Sequence, residues 1–183
     1  MSVTVPLPTL EPSRLATPSQ PLVFLDLDDV ICMNNPYGGY DVLVQSHPVD
    51  LWEKLFAQDA TEVLLGVLRE HRPRIVLTTS WIRLLERSSF ERIFLACGLG
   101  ALAEALHDEC EAAQNSGESR LRAIDRWLTQ HHRGERYVVL DDYLSGTELE
   151  GSHIDKAGRL VLCDVGVGLQ PSHVDRIRRA LRG

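Results

Sequence analysis

Three short apolar runs, each ending in residues able to do chemistry, constrain this chain more than any other feature. Leu22-Val23-Phe24-Leu25 stops at Asp26, and Arg74-Ile75-Val76-Leu77 runs into Thr78-Thr79-Ser80. Tyr137-Val138-Val139-Leu140 ends at Asp141-Asp142. Uninterrupted apolar runs of this length read as strands buried on both faces. The stretch 60–71 carries Val63, Leu64, Val67 and Leu68 at helical spacing, and 49–58, 82–96, 100–113 and 119–131 also read as helices. A fourth strand spans 159–163, and a closing helix runs from Pro171 to Leu181 with proline near its first turn. Strands alternating with helices imply an α/β fold: three layers, α/β/α, around a mostly parallel sheet. Ligands of such sheets bind beyond the carboxyl ends of the strands. Asp26 and Asp28, Thr78 and Thr79, and Asp141 and Asp142 are therefore expected to meet along one edge.

Composition narrows the class. The chain has 183 residues, the length of one ordinary domain. Five of its nine prolines fall at or before Pro21, so residues 1–20 read as a Pro-rich mobile arm ahead of one catalytic domain, 21–183. A net charge of −7 argues against non-specific binding of nucleic acid, although a local basic patch is compatible with it. No apolar run approaches the roughly 20 residues that span a bilayer. The N-terminus lacks the basic start and apolar stretch of a secretory signal. Cys32, Cys97, Cys110 and Cys163 form no CxxC, and the seven histidines show no HxxxH or HxH spacing. Neither a zinc site nor a disulfide scaffold is indicated, and the expected compartment is the cytoplasm. Length and acidity fit a monomer and a dimer equally.

A carboxylate at the mouth of a buried strand is costly unless a cation or hydrogen bonds neutralise it. Two acidic clusters at one edge repel each other, and Mg²⁺ suits such a site because it takes few carboxylates, keeps waters and bridges to phosphate oxygens.

With these residues the chain resembles the haloacid dehalogenase (HAD) superfamily of phosphohydrolases. Its first signature, an apolar strand followed by DxDx[TV], matches Leu22 to Val30; its second, a strand ending in Ser or Thr, matches Ile75-Val76-Leu77-Thr78. A further signature, a strand ending in paired acids, matches Val138 to Asp142. The resemblance implies a Rossmann-like fold and an aspartyl-phosphate mechanism. Asp26 would be the nucleophile, and Asp28 would protonate the leaving oxygen and later deprotonate water. Thr78 would bond a phosphoryl oxygen, with Thr79 as the fallback. Mg²⁺ would be held by Asp26, the Asp28 carbonyl and Asp142, with Asp141 acting through water or behind the ligands. The usual lysine ahead of the last catalytic strand is missing. Arg120 is the best substitute, with Arg122 next. Asp29 stands where many relatives carry glycine; it either joins the acidic cluster or bonds the turn.

The intervals from Asp26 to Thr78 and from Thr78 to Asp142 leave no room for a separate cap domain. An open site suits a phosphorylated small molecule or a macromolecular phosphate end. Asn34 to Asp41 falls where the superfamily places a small flap, and its Tyr37 and Tyr40 are candidates to stack on a base or sugar. Trp81 is expected to pack in the core. The expected function is Mg²⁺-dependent hydrolysis of a phosphomonoester, with a nucleotide or nucleic-acid phosphate end as a candidate substrate. The alternative is a phosphate-binding or regulatory module with little or no turnover.

Overall fold

Leu22–Leu25 (β1) is wholly buried and forms the middle of the sheet in a computed structural model that describes residues 19–182. The expected mobile arm lies almost entirely outside these residues. β1 pairs in parallel with Arg74–Leu77 (β2) on one side and with Tyr137–Asp142 (β4) on the other. Leu106–Glu111 (β3) lies beyond β2, and Leu160–Cys163 (β5) lies beyond β4. The order β3-β2-β1-β4-β5 is parallel throughout. The chain builds outward from β1 in one direction and then returns to build in the other. The crevice between β1 and β4 is thus the switch point at which ligands of open α/β sheets bind.

Side chains alternate between the two faces. Val23, Leu25, Ile75, Leu77, Val138 and Leu140 join one core cluster. That cluster is completed by Gln58–His71 (α3), Arg87–Ala96 (α4), Gly100–Ala105 (α5) and Val174–Arg182 (α8). Leu22, Phe24, Val76, Tyr137 and Val139 face the other way, against Ile124 and Trp127 of the helix Arg120–His131 (α6). Phe24 meets Trp127 and Tyr137 edge-on, with ring centroids 5.2 and 5.7 Å apart. Two short helices, Gly39–Leu43 (α1) and Leu51–Lys54 (α2), lie between β1 and α3, and His153–Lys156 (α7) precedes β5.

Several elements differ from the sequence reading. The expected helix over 100–113 ends at Ala105, and the chain continues as β3. Leu102, Leu106 and Cys110 are all buried at a spacing of four, which mimics a helical stripe across the junction. β3 is an edge strand whose register against β2 shifts, so it shows neither an apolar run nor clean alternation. The expected helix 82–96 is a 3₁₀ turn, Ser80–Arg83, followed by α4. The expected helix 49–58 shrinks to α2, and the closing helix starts with a 3₁₀ turn at Pro171–His173.

Candidate active site

Asp26 leaves β1 with its backbone still in the ladder, its N–H donating to the Leu140 carbonyl at 3.0 Å. The chain then coils tightly: the amides of Val30, Ile31 and Cys32 all point at the Leu27 carbonyl, at 3.3, 3.0 and 2.8 Å. This turn lifts Asp28 to the rim, half-buried, while Asp26 stays 1% exposed.

Four charged groups converge at the β1–β4 crevice. A single nitrogen of Arg120, Nη1, lies 2.8 Å from Asp26 Oδ2 and 2.8 Å from Asp141 Oδ2. Asp141 Oδ1 accepts the Asp142 amide at 2.9 Å. Asp142 Oδ1 accepts the amides of Leu144 and Ser145 at 2.7 and 2.9 Å. Two buried carboxylate oxygens, Asp26 Oδ1 and Asp142 Oδ2, have no hydrogen-bond partner, and neither does Thr78 Oγ1. Ligand oxygens of Asp26, Asp141 and Asp142 lie within 4.8 Å of one another, close enough to share one ion.

Why this chain places them so follows from local structure. Asp26, Thr78 and the acid pair are the first residues beyond, or the last within, three adjacent parallel strands in register. Arg120 comes from the first turn of α6, whose start Ser119 caps by accepting the Arg122 amide. Arg126 fixes the preceding loop through Glu118 at 2.9 Å and the Ala113 carbonyl. Gly146 packs where a Cβ would fall 2.7 Å from the Asp142 carbonyl and 3.1 Å from Asp141 Cγ. Any larger residue there would push against the acid pair.

Burial pushes the Asp26 carboxyl up despite the opposing pull of Arg120, and pushes Asp141 up to about 7 against the same pull. Burial works against the Arg120 charge too, but Asp26 and Asp141 outweigh it and hold the guanidinium protonated. At Asp28, burial raises the carboxyl, hydrogen bonds from Asn34 and Trp81 lower it, and the charges of Asp29 and Asp142 raise it, with a net upward shift.

The other expected residues are placed as follows. Thr79 is the N-cap of the 3₁₀ turn, accepting the Trp81 amide at 3.4 Å, which leaves Thr78 as the uncommitted hydroxyl. Asp29 sits at φ 54°, a region that favours glycine, and accepts the Gly166 amide at 2.7 Å instead of joining the acidic cluster. Tyr37 donates to Asp50 at 2.6 Å and packs on the core. Tyr40 is 79% exposed and lines a cavity of about 220 Å³ that opens beside Asp28. Arg122 gives only its amide, to the cap. Cys32 is buried, which pushes its thiol up to about 12 and makes it a poor nucleophile.

Sequence reasoning missed the residues that hold Asp28. Trp81 is in the core, as its type suggests, yet its indole N–H donates to Asp28 Oδ2 at 3.0 Å. Asn34 Nδ2 donates to Asp28 Oδ1 at 3.1 Å. The only local signal was the position of Trp81 directly after Thr78-Thr79-Ser80.

A parallel Rossmann-like sheet with a DxD after its first strand and paired acids at the end of β4 defines a HAD-superfamily domain. Residues 22–174 match the family described as the HAD domain in Swiss Army Knife RNA repair proteins, and the chain belongs to that family. Membership implies hydrolase activity of phosphatase type in general. No curated protein and no solved structure matches the chain. Among the described residues no helix is long and apolar enough to cross a membrane.

Proposed function

We propose that the protein is a Mg²⁺-dependent phosphomonoesterase that works through a phospho-Asp26 intermediate on a phosphorylated end of RNA or a nucleotide. One observation carries the reading: the buried centre at the β1–β4 crevice leaves Asp26 Oδ1, Asp142 Oδ2 and Thr78 Oγ1 without partners. Buried polar atoms in a native structure are satisfied, and a substrate phosphate with its cation would satisfy all three.

The residues fit the ion. Asp26 and Asp142 each offer a free oxygen, whereas both oxygens of Asp141 are already engaged by Arg120 and the Asp142 amide. This favours Asp26 and Asp142 as direct ligands, with the Asp28 carbonyl as the third that the superfamily resemblance implies. When bound, Mg²⁺ supplies positive charge against the oxygens of the transferring group.

The chain's own residues do the rest. A carboxylate oxygen of Asp26 attacks phosphorus as the bond to the leaving oxygen breaks, and Asp28 gives that oxygen its proton. Water then attacks the phospho-Asp26 phosphorus and yields a proton to Asp28. The bond to Asp26 breaks, and inorganic phosphate leaves. Thr78 donates to a phosphoryl oxygen, and Arg120 orients Asp26 and balances its charge. The upward shift of Asp28 suits a group that must carry a proton near neutral pH. Trp81 and Asn34 aim it.

Two considerations support an RNA or nucleotide end. The family is described by its occurrence in RNA repair proteins. The cavity beside Asp28, where a leaving group must lie, is bounded by Trp81 and by exposed Tyr40, Leu43 and Leu84. At about 220 Å³ it is smaller than the roughly 300–1,000 Å³ of sites that enclose whole drug-sized ligands, so it suits one planar group with the remainder outside. Four free cysteines fit a reducing compartment, the cytoplasm.

The test is phosphate release from an aryl phosphate and from a 3′-phosphorylated oligoribonucleotide, with Mg²⁺ or EDTA. Wild type should turn over both with Mg²⁺ and prefer the oligonucleotide. Asp26→Asn should lose roughly 10³-fold or more. Full turnover by Asp26→Asn would sink the mechanism. A wild type that binds Mg²⁺ and the oligonucleotide without release would make the domain a binding module.

A further inference from the structure

A cavity of about 510 Å³ opens at the opposite pole of the sheet, between α8 and the turns that lead into β4 and β5. Arg136 precedes β4, Arg159 precedes β5, and Arg176 and Arg179 stand on one face of α8 at a spacing of three. The Ala157–Gly158 turn fills the gap between them, and no carboxylate lines the cavity. Six residues of β4, at about 3.3 Å each, put it on the order of 20 Å from the catalytic acids.

The arginines are held for a ligand and not spent on each other's neighbours. Arg159 lies flat on Tyr137, its guanidinium carbon 4.5 Å from the ring centroid. Arg176 is steadied by one contact, Asp155 at 2.7 Å. Arg179 has no carboxylate within ion-pair distance among the described residues. The acids nearest in sequence are otherwise engaged: Asp175 faces Arg178 at 3.6 Å, and Glu135 accepts the Arg133 amide at 2.6 Å. Four guanidinium groups gathered on a chain of net charge −7 run against its overall balance. All four are arginine, the side chain whose planar fork matches phosphate oxygens, whereas lysine would supply charge alone.

We infer that the Arg136–Arg159–Arg176–Arg179 cavity is a second anion site that binds phosphate groups of a nucleic-acid strand, separate from the catalytic centre. It binds without hydrolysing: no carboxylate, hydroxyl or thiol nucleophile lines it. The inference stands apart from the phosphatase reading, since the site works equally on a catalytically dead chain.

The experiment measures fluorescence anisotropy of a labelled RNA of about ten nucleotides without terminal phosphates, on the full chain carrying Asp26→Asn. The comparison adds Arg136→Ala with Arg179→Ala. We expect Kd to rise at least tenfold near 0.1 M salt, and the slope of log K against log salt to flatten by about 1.4 for two lost phosphate contacts. Aryl phosphate hydrolysis in the Asp26 background should be unaffected by the pair. Arg92→Glu, on α4, controls for net charge. A parallel arm uses pyrophosphate: loss of pyrophosphate binding with no change for RNA would assign the site to small free phosphates and overturn the strand. Equal RNA affinity for all chains, an equal loss in Arg92→Glu, or tighter binding of an acidic peptide than of RNA would overturn the site.

Discussion

Asp28 has the most exposed position of the DxD pair and the most exacting task, and two neighbours hold it from opposite sides: Asn34 on Oδ1 and Trp81 on Oδ2. Removing the indole donor while keeping an aromatic body separates aim from packing. Trp81→Phe should therefore lower kcat by roughly tenfold, the value of one hydrogen bond to a carboxylate, with KM for aryl phosphate changed less than threefold. Melting by circular dichroism should show a loss of about 1–2 kcal/mol at most. A kcat equal to wild type would show that Asn34 alone suffices. The contact links residues 53 positions apart, so nothing in the local pattern of either segment announces it. By contrast Asp26, Thr78, Asp141 and Asp142 were legible because strand ends are legible. Each is the first polar residue after an apolar run, and parallel pairing in register then brings them together without further information.

The same contrast runs through the elements. β1, β2, β4 and β5 declare themselves by burial on both faces, and α3 and α6 by their apolar stripes. β3 does not, because an edge strand buries only Leu106 and Cys110 and continues the spacing of α5. α6 matters most for the site: it carries Arg120 in its first turn, where a cation sits against the helix dipole. The unfavourable position is offset by two buried carboxylates that share Nη1 alone. Because one nitrogen serves both acids, a lysine ammonium could take its place, with a shorter reach. Arg120→Lys should keep activity within about tenfold and stability within about 1–2 kcal/mol. Arg120→Met should cost about 3 kcal/mol or more in urea unfolding, the usual loss when one member of a buried ion cluster is removed. If both variants behave alike, the charge of Arg120 is irrelevant to the fold.

At the scale of the whole molecule the charge is polarised along the strands: acids crowd the carboxyl ends and arginines the amino ends. The acidic pole carries Asp26, Asp141 and Asp142 against one guanidinium, so with all groups ionised a divalent cation would bring the buried centre to neutrality. Without it, burial keeps protons on the centre: Asp141 rises from 3.8 in the open chain to about 7 in the fold. The sign follows directly. Between about pH 4 and pH 7 the folded chain holds a proton that the unfolded chain has lost, so metal-free stability falls as pH rises through that window. Cation ligation needs those carboxylates ionised and therefore strengthens over the same range. Saturating Mg²⁺, near 100 Kd, adds about 2.7 kcal/mol, which for a domain of this size raises Tm by roughly 5–10 °C. The rise should be larger at pH 8 than at pH 6 and should vanish in Asp142→Asn, whose orphaned oxygen is the ligand in question. Differential scanning calorimetry with Mg²⁺ and with EDTA at both pH values reads all three outcomes. A shift of equal size in Asp142→Asn would move the cation away from this centre.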